Sequence, residues 1–306
     1  MSNKKSNECF QDLENIYKGK TLYIIGNGPS LAETDLSLIK DSPSIAMNRI
    51  SLLYSKFKDW FPTYYIFCSS NITNPIWGLK WAESVKEALS KESTISFIDK
   101  RCKNFLIENN FKLHKNVRII NSLTENKPEY LGKINKKSFS QNIIESIDKS
   151  GSTINVALQL AYFMGAEKII FLGTDLGWTA NNGRKNDNNH FDKSYRAHIP
   201  DPVKANIQMR NVHILANKIF KNNKPNVKIY NASKFTKLDV YPIIEFEDFA
   251  KNGVIKEKKQ LAKEADIFWK EIKPENKYLI LSRQYLYKIK EKITIFLKKI
   301  NFVNRF

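Results

Sequence analysis

Short apolar runs alternate along this chain with longer stretches in which apolar residues recur every three or four positions. Leu22-Tyr23-Ile24-Ile25 and Ile169-Ile170-Phe171-Leu172 are unbroken, as strands covered on both faces of a sheet tend to be. The pattern predicts strands at Thr21–Ile25, Ser44–Met47, Tyr64–Cys68, Thr94–Ile98, Val117–Asn121, Lys168–Leu172 and Val227–Tyr230. Helices are predicted at Trp77–Leu89, Ser152–Met164 and Val203–Asn222. This alternation implies an α/β fold: a Rossmann-like, mostly parallel sheet with helices on both faces. Two regions break the pattern. Thr179–Pro202 is polar, Asn-rich and without periodicity, and reads as a long loop, the core of a lid over about 176–202. From about Asn252 lysine becomes frequent, and two helices are expected, the first stopped by Pro274. The predicted division is an N-terminal extension (1–19), a catalytic domain (20–250) and a basic helical tail (251–306).

Composition narrows the class. The chain has 306 residues, 42% of them hydrophobic, with 19 Phe and 13 Tyr, ample for a packed core and contrary to wholesale disorder. Fifty Lys+Arg against 31 Asp+Glu give +19, which points to anionic partners: nucleic acid, a membrane surface or phosphorylated small molecules. Cys9, Cys68 and Cys102 show no CxxC spacing, so neither a disulfide framework nor a zinc site is expected. Glu8, Asp12 and Glu14 interrupt the N-terminus before an apolar run develops, unlike a signal peptide. No run of ~18 apolar residues occurs, so no spanning helix is expected. The expectation is a cytoplasmic protein with at most a peripheral membrane contact.

Three stretches carry candidate chemistry. In the first, a buried strand enters Gly26-Asn27-Gly28-Pro29-Ser30-Leu31. The two glycines let backbone N–H groups approach a ligand, and Pro29 suits the first turn of a helix whose N-terminus favours phosphate. Leu31 replaces the third glycine of a dinucleotide fingerprint, and no Gly-Lys-Ser/Thr follows, which disfavours NAD-dependent and P-loop readings. In the second, Asp148-Lys149-Ser150-Gly151-Ser152-Thr153 opens an apolar helix, where capping alone would account for Ser150 or Ser152. The following strand ends in Gly173-Thr174-Asp175, with Asp175 at the carboxyl end that delivers side chains to a ligand crevice. The third is the loop, with Lys185 to His190, then Phe191, and Tyr195-Arg196-Ala197-His198. Its amides, Tyr195 and Arg196 suit a sugar or a diphosphate-like leaving group, and His190 or His198 can take a proton near neutral pH. His114 and His213 read as structural, Cys68 as a small buried residue. No D-x-D pair and no metal-ligand spacing is present, so no metal site is assigned.

Together, Gly26-Asn27-Gly28-Pro29-Ser30-Leu31, Asn48, the Ser-Gly helix start, Gly173-Thr174-Asp175 and the Asn-His loop resemble the bacterial sialyltransferases of glycosyltransferase family forty-two. They are similar also to the MptE-like superfamily of surface-glycan glycosyltransferases. The similarity spans roughly Lys20 to Phe249. It implies a metal-independent enzyme with no cofactor, whose substrate is a nucleotide-sugar donor, with a CMP-activated nonulosonic acid such as sialic acid favoured. By the resemblance, Asn27 contacts the nucleotide, Asn48 matches the asparagine after the second strand and Ser150 the helix-start serine near the phosphate. Gly28, Ser30, Ser69, Gly151 and Ser152 complete the expected nucleotide and phosphate site, and Tyr195 and Arg196 the donor site. Lys149 stands where the family has an arginine. His190 is then the general base beside Asp175. Lys193 occupies the family's catalytic-histidine position, so the base is His190 or His198, or the chemistry differs from the family's. The rival reading is the ATP-dependent, Mg²⁺-requiring pyrophosphokinase of the MptE-like group, with Asp175 and Asp187 as oxygen ligands. A third is a basic RNA- or DNA-binding protein, disfavoured because basic and acidic residues interleave and no nucleic-acid-binding motif appears. The expected partners are the donor, a glycan or glycolipid acceptor and, through the tail, the anionic inner face of the cytoplasmic membrane. A homo-oligomer is left open. Within the tail, Leu286, Ile289, Ile293, Phe296, Leu297, Ile300 and Val303 fall on one helical face, which would pack on the domain or lie in a headgroup plane.

Overall fold

The computed structural model describes residues 10–76, 78–122, 134–182, 186–195, 197–199, 201–273 and 277–303. Seven parallel strands form one sheet: β1 Thr21–Ile25, β2 Ser44–Met47, β3 Tyr64–Phe67, β4 Ile95–Asp99, β5 Val117–Ile120, β6 Lys168–Leu172 and β9 Lys228–Asn231. A two-residue ribbon of β7 Asn181–Asn182 and β8 His198–Ile199 pairs antiparallel within the lid. The α-helices among the described residues are α1 Gly78–Leu89, α2 Lys100–Glu108, α3 Thr153–Phe163, α4 Pro202–Asn223, α5 Phe246–Asn252, α6 Lys259–Glu271 and α7 Lys277–Val303. The arrangement is Rossmann-like α/β, as the apolar runs predict.

Sheet order is β5-β4-β3-β2-β1-β6-β9. The chain therefore moves outward from β1 in one direction, then crosses back beside it to build β6 and β9. Each unbroken strand feeds two cores. Tyr23 and Ile25 of β1 join Trp60, Trp81, Phe67 and Phe246 on one face, while Leu22 and Ile24 join Phe171, Leu160 and Phe220 on the other. α3 shows why continuous apolarity can mean helix as well: from Val156 to Phe163 every residue is buried. Asp99 ends β4 and caps α2 by accepting from the Cys102 amide at 2.8 Å.

Contacts cross both divisions read along the chain. Phe10 and Leu13 are buried in the second core, so residues 10–19 belong to the body. α5 runs across the 250/251 boundary, with Phe249 buried. α6 is tied down by buried Ala265 and by Trp269 Nε1, which donates to the Lys237 carbonyl. The predicted stop at Pro274, like Trp77 at the start of the predicted helix before α1, lies outside the described residues.

Candidate functional site

β1 and β6 are neighbours whose onward connections run in opposite directions, and open α/β sheets bind ligands at such a switch point, outside the carboxyl ends of the strands. Here the two strand ends lock together. Gly26 N–H donates to the Leu172 carbonyl at 2.8 Å and Gly28 N–H to the Gly173 carbonyl at 2.7 Å. A Cβ on Gly28 would stand 2.3 Å from Asp175 Oδ2, so this glycine is required for space. Pro29–Glu33 is a five-residue 3₁₀ turn. The expected helix N-terminus is therefore absent at this turn, and the N–H of Ser30 is already taken by Asp175.

Above the switch point lies a cavity of about 250 Å³. Asn27 and Gly28 line it from β1, Asn48 from β2, Ser69 from β3, Thr174 and Asp175 from β6, and Trp178, Asn189, His190 and Tyr195 from the lid. Gly151, Ser152 and Thr153 bring in the N-terminus of α3. Ser152 occupies the cap position without a side-chain cap hydrogen bond, so capping does not account for it. The eleven-residue helix offers its first N–H groups and the positive end of its dipole to the cavity. Asn48 is held at φ 56°, a left-handed conformation that asparagine tolerates better than most residues. Its Oδ1 accepts from Thr153 Oγ1 at 3.4 Å. Asn27 Nδ2 donates to the Met47 carbonyl at 3.1 Å, while Asn27 Oδ1 and Thr174 Oγ1 are buried without a hydrogen-bond partner and Tyr195 Oη has the side chain of Asn48 beside it. Buried polar atoms are ordinarily satisfied, so two orphans on one cavity mark where a ligand would bond.

The lid supplies a histidine oriented by a carboxylate. Asp187 is fully buried; its Oδ1 accepts from Asn189 N–H at 2.8 Å and its Oδ2 from Ala197 N–H at 3.1 Å. His190 Nδ1 lies 3.0 Å from Asp187 Oδ1. Burial pushes the Asp187 pKa up, but the bonds from His190, Ala197 and Asn189 outweigh it and hold the carboxyl below its ordinary value. An ionised carboxylate only accepts, so Nδ1 carries a proton, and the neutral imidazole in that tautomer has its lone pair on Nε2. The imidazole stacks on Tyr195 with centroids 3.8 Å apart and 5° between planes, and Trp178 stands 5.6 Å away. Burial raises the Tyr195 phenol well above its ordinary pKa, which keeps the hydroxyl a neutral donor.

Arg49 clamps this unit. Its Nη1 donates to the carbonyls of Ser194 at 2.9 Å and Tyr195 at 2.8 Å, and its Nε to Ser84 Oγ at 3.0 Å. Phe191 N–H adds a bond to the Asn27 carbonyl at 3.0 Å. The lid is thus closed onto β1 and β2.

The other predicted residues are placed less directly. Asp175 lines the cavity, yet its Oδ2 accepts from Ser30 N–H at 2.8 Å and its Oδ1 from Ser30 Oγ at 2.6 Å. Burial pushes its pKa up to about 6, against the lowering effect of the Ser30 bonds. Ser30 is buried behind the turn and Ser150 behind the start of α3; neither lines the cavity. Lys149 is wholly buried and paired with Asp99 at 3.0 Å, away from the cavity wall. Arg196 and Lys185 lie outside the described residues. Cys68 and His213 are buried, as expected of structural residues, and burial pushes His213 down to about 3, so it stays neutral at the cavity wall. Sequence reasoning missed Arg49, the orienting role of Asp187, and Tyr287 of α7, which lines the cavity and accepts from Asn74 Nδ2. The Asp187-x-x-His190 spacing was the available signal for the second. Among the described residues no three His, Cys, Asp or Glu side chains are grouped to hold a metal ion. No protein-family model and no curated protein matches this chain.

Proposed function

We propose that this chain is a glycosyltransferase of the kind that builds bacterial surface glycans, using a CMP-activated nonulosonic acid such as sialic acid. The observation that carries the reading is the Asp187–His190 pair on a closed lid, at the wall of a switch-point cavity. The nucleotide would lie across Asn27, Gly28 and Asn48. Its single phosphate would face the N-terminus of α3 at Gly151, Ser152 and Thr153, where about half a unit of positive charge is available. Asn27 Oδ1 and Thr174 Oγ1 would gain the partners they lack. His190 Nε2 would take the proton of an acceptor hydroxyl as its oxygen bonds to the anomeric carbon. The bond from that carbon to the phosphate oxygen breaks, and CMP leaves with the electron pair. Asp187 would stabilise the imidazolium that forms.

Two features favour this reading over an ATP-dependent pyrophosphokinase. Among the described residues no Lys or Arg lines the cavity, so little there would balance a triphosphate. The oxygens of Asp175 and Asp187 are already engaged by Ser30, His190, Asn189 and Ala197. A divalent ion would have to displace those donors. No helix among the described residues is long and apolar enough to cross a membrane; we place the protein in the cytoplasm, at the inner membrane face. The test is CMP release from CMP-sialic acid in EDTA, with and without glycan acceptors. His190→Ala should lower turnover by about 10²–10⁴-fold while leaving CMP affinity unchanged. Unchanged turnover removes His190 from the mechanism.

A further inference from the structure

α7 is turned inside out relative to an ordinary surface helix. Its partly covered positions, Ile280, Arg283, Gln284, Tyr287, Glu291 and Thr294, are mostly polar, and Tyr287 packs against the core. Its apolar stripe, Leu279, Leu286, Ile289, Ile293, Phe296 and Ile300, faces away from the body. Leu286 is 63% exposed, Ile293 53% and Phe296 62%. At 3.6 residues per turn the stripe and the covered side lie on opposite faces of the helix. An amphipathic helix normally turns its apolar face to its own core, whereas among the described residues none covers this face.

Charge identifies the occupant. Between Lys277 and Val303 the sequence has seven Lys or Arg and a single acid, Glu291, which sits on the covered side. Exposed Lys290 flanks the stripe on one edge and exposed Lys292 on the other. A second copy of the helix laid stripe to stripe would oppose base to base, because no acid borders the stripe. An anionic bilayer reverses that: the apolar side chains enter the acyl boundary while the lysines reach the phosphates. Tyr278 and Tyr285, both well exposed, flank the stripe as amphipathic rings suited to the headgroup level. We infer that α7 lies in the plane of an anionic lipid surface. Tyr287 on its other side lines the cavity, so the site would stand about one helix diameter, ~10–12 Å, from the lipid. Resting on the transferase reading, this makes the acceptor a glycan anchored in that bilayer.

The experiment is sedimentation of the full chain with phosphatidylcholine vesicles, with and without phosphatidylglycerol. Binding is expected only where phosphatidylglycerol is present. Lys290→Gln/Lys292→Gln should weaken it about thirty-fold, and Ile293→Asp/Phe296→Asp should abolish it without changing the melting temperature. Equal binding to neutral vesicles overturns the inference. So does a lowered melting temperature in the Ile293→Asp/Phe296→Asp protein, which would mean that the stripe packs on the body. Absence of vesicle binding, with or without self-association that those two substitutions disrupt, overturns it too. Vesicle binding requires no catalysis, so its failure leaves the transferase reading standing. Failure of CMP release in a protein that binds vesicles sinks that reading alone.

Discussion

Replacing Asp187 by Asn probes the catalytic geometry more finely than removing His190, because it preserves volume and changes only what the side chain can offer. The carboxylate accepts three hydrogen bonds, from His190 Nδ1, Asn189 N–H and Ala197 N–H. An amide has one oxygen and one NH₂, so at least one of those donors must face another donor. A buried donor left unsatisfied costs about 1–3 kcal/mol, which sets the expected loss of stability on urea unfolding. The kinetic effect should be larger. Without an acceptor at Nδ1 the imidazole can carry its proton on Nε2, the atom that must accept, and the negative charge that stabilises the imidazolium is gone. General-base catalysis contributes about 10²–10⁴-fold, and most of it should vanish from turnover in the CMP-release assay. CMP affinity should stay within a few-fold, since Asp187 points at the lid rather than the nucleotide. Turnover within three-fold of the parent, in a protein that still binds CMP, would refute the oriented-base argument.

Asp175 and Gly28 give two further tests. Native Asp175 titrates at about 6 against an ordinary 3.8, so the folded state holds this proton about two units more tightly than the unfolded chain. Its contribution to stability is present below pH ~4 and lost as pH rises to ~6, a change of roughly 3 kcal/mol. Urea unfolding at a series of pH values should show that downward component in the parent and not in Asp175→Asn; identical profiles would contradict it. Gly28→Ala pushes a methyl against Asp175 Oδ2 and the Gly173 carbonyl, and should cost about 1–3 kcal/mol and weaken CMP binding. A neutral result would mean that the turn is not tightly packed.

How much of this was visible along the chain depended on the range of the interaction. The inner strands show as apolar runs because both faces of the sheet are covered there, while the edge strands β5 (VRII) and β9 (KIYN) are weaker signals that include Arg118 and Lys228. α2 is quieter: in KRCKNFLIE only Cys102 and Leu106 are buried, too few to set a periodicity, although Asp99 at its cap was a local signal. The Gly-Asn-Gly turn and Asp175 were legible as motifs, but their clasp through Ser30 joins residues 145 apart. Arg49 reaches Ser194 and Tyr195 across 145 and 146 positions, and no local pattern marks an arginine as a lid clamp. Lys149 could be set against the family's arginine because its partner, Asp99, lies 50 residues away. In α7 the period of the apolar stripe was plain. Which way the stripe faces was not, since periodicity defines a face and only tertiary contacts give it a direction.

The central claim is that the switch-point cavity receives a cytidine monophosphate donor, and calorimetric titration of the full chain with CMP and with ATP tests it most directly. The account predicts saturable one-to-one binding of CMP that EDTA does not change, and no binding of ATP with or without Mg²⁺. Binding of ATP that requires Mg²⁺, together with indifference to CMP, would contradict it and return the cavity to a phosphoryl-transfer enzyme.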